Sequence, residues 1–163
     1  MLVTDEENHR VSQFALDGTF IGIFTGTGEE GSGDGEFKFA LGITVLGSSG
    51  EVAVVDQYNH RVQIFDSEGK YKRQFGTEGK EDGQFNYPTG LTSDAHGNLL
   101  VVDGTNRLQV FDPEGKHLCT RSDLGLHTDS LKDIAWSTGG EIAVAGGSAQ
   151  KVHCRTARSM AAS

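Results

Sequence analysis

The segment VVDQYNHRVQIFD at residues 54–66 returns as VVDGTNRLQVFD at 101–112, as VTDEENHRVSQF at 3–14 and, eroded, as VAGGSAQKVHC at 144–154. A segment restated along one chain is a building unit before it is a site, because one such unit is too small to bury its own apolar surface and has to stack on its copies. Asp56 and Asp103 stand 47 residues apart, and Asp5 precedes Asp56 by 51, the first copy being lengthened by the glycine-rich insert GTGEEGSGDGEF at 26–37. The fourth copy aligns with the second without a gap, 90 residues on. A period of roughly 43 to 51 residues is that of four-stranded propeller blades.

Within each unit the apolar residues alternate or form short runs, and no window sustains helical spacing over three turns. In the third unit this pattern predicts strand a at TGLTSD (89–94), strand b at LLVVD (99–103), strand c at RLQVF (107–111) and strand d at HLCTR (117–121). The connectors DAHGN and LGSSG (a to b) and DSEGK, DPEGK and ALDGT (c to d) have the chemistry of tight turns. The expected class is therefore all-β: a β-propeller of four-stranded antiparallel blades, about three and a half to four of them. The units run 2–42, 43–90, 91–133 and 134–154, followed by a tail at 155–163. The chain opens at LVTD without a strand a and closes on KVHCRTARSMAAS without a clear strand d. Phe14, Phe65 and Phe111 recur on strand c, Phe24 and Phe75 on strand d, and Phe37 and Phe85 after a D-G turn. Such repeated placement predicts core between stacked sheets. Trp136 and Tyr58 fall outside it and are assigned local roles.

The b–c segment VVDQYNHRVQIFD, with FGTEGKEDGQFNYPTGLTSD leading into the next unit, resembles the NHL repeat. That repeat has an Asp closing one strand, N-x-R-V opening the next, and a D-G-x-F-x-x-P-x-G stretch into the following blade. DGQFNYPTG at 82–90 carries every element; DGEFKFALG at 34–42 has Ala40 in place of the proline, and the third unit retains almost none of it. The resemblance implies a propeller of about six blades, of the kind found in tripartite-motif ubiquitin ligases, where it recruits substrates or binds RNA. Six blades would need roughly 270 residues. An open stack leaves two apolar flanks wet, so either the chain is part of a longer propeller or two copies meet and close a ring; self-association, a ring of two or at least a dimer, is the favoured expectation.

Aspartate and arginine bracket each intact b–c turn: Asp5 with Arg10, Asp56 with Arg61, Asp103 with Arg107; the fourth unit has Gly146 and Lys151 there. A pair copied in every intact unit is expected to be structural, fixing strand ends and bridging blades. Binding is then expected from what differs between copies, on the face shared by the b–c turns and the d-to-a links. Candidate partner-binding residues are Asn8, His9, Tyr58, Asn59, His60, Thr105 and Asn106 in the turns, with Glu29, Glu30, Glu78 and Glu81 in the links. Asp34, Glu36 and Asp82 add to an acidic rim that holds one lysine, Lys80.

With 23 acidic against 14 basic residues, a net charge of −9 disfavours nucleic acid, because phosphate binding needs several cations on one face. The expected partner is a protein or peptide of basic character, and neither cofactor nor metal is expected. The six histidines, His9, His60, His96, His117, His127 and His153, form no zinc or metalloprotease motif and are read as exposed turn residues where they recur. The link GTGEEGSGDGEF lacks G-K-[ST], and its acids repel phosphate; a calcium loop at Asp34 and Glu36 yields to the D-G-x-F entry into the next blade. Cys119 and Cys154 are too few for a disulfide framework and read as small strand residues of a protein in a reducing compartment, the cytoplasm. No apolar run of membrane-spanning length is present, so no membrane partner is expected. The function expected is that of a non-enzymatic scaffold, with an RNA platform and a metal-dependent lyase as the alternatives weighed.

Overall fold

The computed structural model describes residues 1–47, 49–122, 124 and 130–147, with the backbone of 152–156. It forms four antiparallel meanders. Blade 1 contains β1 (Leu2–Asp5), β2 (Arg10–Phe14) and β3 (Phe20–Thr25); blade 2 contains β4 (Ala40–Val45), β5 (Val52–Asp56), β6 (Arg61–Phe65) and β7 (Tyr71–Phe75). Blade 3 contains β8 (Pro88–Ser93), β9 (Leu99–Asp103), β10 (Leu108–Phe111) and β11 (His117–Arg121), and blade 4 β12 (Leu131–Trp136), β13 (Glu141–Gly146) and β14 (Val152–Thr156). In every sheet, strands adjacent in sequence are adjacent in space, as hairpin connections require. The only helical pieces among the described residues are 3-10 turns at Glu6–Asn8 and Gln57–Asn59. This is the propeller architecture that the repeats predict. The unit edges expected at 42/43, 90/91 and 133/134 fall in the middle of β4, β8 and β12, so the first strand of each of these sheets straddles two units. The tail beyond Thr156 lies outside the described residues.

The inner strands β4, β8 and β12 lie side by side and form the hub. Two glycines permit their approach. A Cβ on Gly42 would stand 2.8 Å from the Leu91 nitrogen, and one on Gly90 would stand 2.6 Å from the Asp133 Cα, both shorter than packing tolerates. The fourth blade carries Asp133 at the matching position, opposite Ala145 as Gly90 is opposite Val102.

A middle strand has no wet face. All five residues of β5 are buried: Val52 and Val54 pack toward blade 1 with Val11, Phe37 and Phe65, while Ala53 and Val55 pack toward blade 3 with Leu91, Val101 and Phe111. Continuous apolar runs, rather than alternation, follow from burial on both sides. Phe37, Phe65, Phe85 and Phe111 are the large anchors of these layers, each worth roughly 1.5–3 kcal/mol by burial alone. Phe14, Phe24 and Phe75, expected in the core, are only half-buried. Phe14 lies on the outer flank of blade 1 beside Phe20, with ring centroids 5.5 Å apart. Trp136 joins the cluster between blades 3 and 4, and Cys119 is a half-buried free thiol on β11. The side chain of Cys154 lies outside the described residues.

A clamped face of turns and links

The first two links between blades are each held by the blade that follows. Arg61 donates from Nε to Asp56 at 2.7 Å and from Nη2 to the carbonyls of Gly33 and Glu36 at 2.8 and 3.0 Å. Gln63, fully buried, donates to the Glu36 carbonyl at 2.7 Å and accepts from the Gly35 N–H at 2.9 Å. Asp56 also accepts from the Lys38 N–H at 2.8 Å. Blade 3 repeats the device: Arg107 donates to Asp103 at 2.7 Å and to the carbonyls of Lys80 and Gln84 at 2.5 and 2.8 Å, and Gln109 donates to Gln84 at 2.7 Å. In blade 1 Arg10 reaches Asp5 at 3.0 Å, both side chains 31% exposed. Burial pushes the Asp56 carboxyl up, against the donors of Lys38, Asn59 and Arg61 that favour its charge.

Asn59, Thr105 and His60, expected to face a partner, are drawn into this scaffold. Asn59 donates to the Gly31 carbonyl at 2.8 Å and to Asp56, while the Thr105 hydroxyl donates to Asp103 at 2.6 Å. His60 is 7% exposed, and its Nδ1 accepts the Tyr87 N–H at 3.1 Å. The reading of the recurring histidines as exposed turn residues is therefore corrected for His60. A left-handed backbone (φ 53°) turns its ring under the link instead of outward. His9 is half-buried in the same role, accepting from the Phe39 N–H at 3.2 Å. Asn106 is half-buried with a left-handed backbone, and Asn8 is exposed and donates to Asp5 at 2.8 Å. His127 and the side chain of His153 lie outside the described residues.

Above the clamp stand the link acids. Glu29, Glu30, Glu78 and Glu81 are all exposed, with Asp34 and Asp82 beside them. Glu30 pairs with Lys38, which lowers the pKa of the carboxylate and raises that of the ammonium. Tyr58 is exposed, and two residues that sequence reasoning missed flank it: Phe39 at a ring distance of 4.7 Å and Tyr87 at 5.3 Å. Their shared register, in EFKF and QFNY, was the available signal. Among the described residues, no three His, Cys, Asp or Glu side chains gather as metal ligands, and no helix is long and apolar enough to cross a membrane.

Comparison with known proteins gives this geometry a family. Residues 37–65, which run from the end of the first link through β6, match the NHL repeat family. The chain is 36% identical over 92 residues to Protein brain tumor of Drosophila melanogaster, a match covering 55% of this chain and 9% of that protein. It is 47% identical over 66 residues to RING finger protein nhl-1 of Caenorhabditis elegans (40% and 7%) and 35% identical over 72 residues to E3 ubiquitin-protein ligase NHLRC1 of Homo sapiens (44% and 18%). The chain thus spans less than a fifth of the length of each of these relatives. A crystal structure of a protein of unknown function from Bacteroides caccae superimposes with a TM-score of 0.59 at 15% identity, over 96% of this chain and 57% of that one, a likeness of fold. With the aspartate, the N-x-R-V strand and the D-G-x-F link all engaged in one repeated clamp, residues 37–65 form an NHL repeat, and the chain is similar to NHL-repeat proteins over about half its length.

Proposed function

We propose that the chain is a non-enzymatic protein-binding scaffold whose working surface is the face of turns and links, and that its partner is a basic protein or peptide. The reading is carried by one observation: the exposed link acids Glu29, Glu30, Glu78 and Glu81 stand on backbone pinned by Arg61 and Arg107, a fixed negative surface that costs little ordering on binding. Two of the relatives are a RING finger protein and an E3 ubiquitin-protein ligase, which supports substrate recruitment in a tripartite-motif-type ligase as the cellular role. The test is fluorescence anisotropy with a labelled oligolysine peptide against the wild type and the quadruple E29Q/E30Q/E78Q/E81Q variant. Binding should weaken steeply with salt and fall about tenfold or more in the variant. Tight binding of a mixed RNA pool at moderate salt would refute it.

A second contact is proposed on the outer flank of blade 1. Register places Val3, Ser12 and Ile23 on one face, and Val3, Phe20 and Ile23 are 40%, 55% and 51% exposed. The equivalent of Val3 in blade 2, Val54, is fully buried against blade 1. Self-association through this flank covers apolar surface that a lone chain leaves wet.

A further inference from the structure

Phe39, Tyr58 and Tyr87 make a continuous aromatic strip across the junctions of blades 1, 2 and 3, on the face that carries the link acids. Tyr58 stands between the other two, at 4.7 Å and 40° to Phe39 and at 5.3 Å and 76° to Tyr87. Tyr58 and Tyr87 are 44% and 41% exposed, so the strip is a surface and not a core layer. Tyrosine is enriched at binding interfaces, where its ring is covered and its hydroxyl stays paired or wet.

The backbone is committed to presenting these rings. Phe39 and Tyr87 both adopt left-handed φ, 65° and 49°, a region bulky side chains avoid. Each is locked there from two sides. Its N–H is received by a histidine of the preceding blade, His9 or His60, and its carbonyl by an N–H of its own blade, Gln57 at 3.0 Å or Gly104 at 3.1 Å. Strained conformations held by several bonds concentrate at binding sites, where they keep a surface ready. The same device occurs at two successive junctions, and Tyr58 joins the two rings.

We infer that this strip is a docking groove for an arginine-bearing segment of a partner protein, the guanidinium lying against the rings of Tyr58 and Tyr87. The inference rests on the proposed acidic binding face and names what that face reads. Ring faces attract cations, and a planar guanidinium stacks on them where a compact, strongly hydrated ammonium does not. The surrounding charge agrees: Lys38, the cation beside the strip, is paired with Glu30, and Glu6, Glu7 and Glu29 are exposed nearby along the turn and link of the same junction. The same rings could stack nucleobases, but a phosphate backbone following them would meet these carboxylates.

The test uses the whole chain and two fluorescent peptides of equal charge, one alternating glycine with arginine and the other glycine with lysine. The arginine peptide should bind about fivefold tighter or better. Tyr58→Leu and Tyr87→Leu should abolish that preference, and Tyr58→Phe should keep it, with thermal melts confirming that each variant is folded. Neutralising the four link glutamates should weaken both peptides alike. If the peptides bind equally and the tyrosine variants change nothing while the glutamate variant loses both, the strip is refuted and the acidic face stands. If neither peptide binds, both readings fall. If a single-stranded oligouridylate binds more tightly than the arginine peptide, and loses that binding in Tyr58→Leu, the strip belongs to nucleic acid and the proposal is overturned.

Discussion

Blades 1 and 2 carry the same flank in different settings. Val3, Arg10 and Phe14 repeat as Val54, Arg61 and Phe65, but the second set is buried under a neighbouring blade and its link, whereas the first is half open. Asp56 and Arg61 bury a full ion pair; Asp5 and Arg10 remain wet. One motif is therefore a structural keystone in one place and a surface pair in the other. What separates them is the link that delivers Gly33 and Glu36 carbonyls to Arg61 and has no counterpart over Arg10 among the described residues. The repeat encodes an unfinished joint that the next layer completes.

The sharpest way to break this comparison is one substitution made twice. Arg61→Ala leaves the Asp56 carboxylate buried with link carbonyls unmet, and should cost about 3–5 kcal/mol in urea unfolding. Arg10→Ala, in the exposed pair, should cost about 1 kcal/mol or less. Equal costs would show that burial under the link is not what sets the value of the pair.

The open flank gives the next largest effect. If it is an adhesive counterpart of the buried one, sedimentation of the wild type should reveal association in the micromolar range, and Ile23→Glu should weaken it about tenfold or more without unfolding the chain. A wild type that sediments as a well-folded monomer at these concentrations removes the proposed contact.

The smallest effect is an acid limb of stability. Hydrogen bonds from Arg73, at 2.8 Å, and then Lys72 hold the Glu51 carboxyl down at about 2, and Arg73 also donates to the Pro113 carbonyl of blade 3. A carboxylate with a lowered folded pKa stabilises the fold above its unfolded pKa of about 4.5, and that stability is lost as pH falls from there toward 2. With Lys72 largely exposed to solvent, the loss should be about 1–2 kcal/mol, and absent in Glu51→Gln. A wild type and a variant with parallel stability curves between pH 5 and about 2 would contradict it.

Most of the architecture was legible because each blade states its strands in order and repeats them. Strands b and d of blade 3 stand where LLVVD and HLCTR place them. The limits of the units were not, since the first strands of blades 2, 3 and 4 straddle the repeat edges and periodicity alone has no preferred starting point. The candidate site was legible in its acids and in Tyr58. It was not legible in His60, Asn59 and Thr105: a left-handed backbone turns the His60 ring to accept an N–H 27 residues downstream, Asn59 donates to a carbonyl 28 residues upstream, and the Thr105 hydroxyl is taken by Asp103. Phe39 and Tyr87 were missed for a related reason: sequence patterns give no warning when bulky residues take positive φ, here held by histidines that accept their N–H groups and by backbone donors that meet their carbonyls. In the fourth unit Gly146 replaces the aspartate, so no clamp of this kind can form there; Lys151 lies outside the described residues.

The arginine clamps also give the chain a direction in time. Arg61 closes on carbonyls 25 and 28 residues behind it, and Arg107 on carbonyls 23 to 28 residues behind. During synthesis each link therefore emerges from the ribosome unsecured and waits on the order of 1–5 s for its own fastener. Those intervals are when a nascent propeller of this kind is most open to proteases and chaperones, and they occur at the second and third blades.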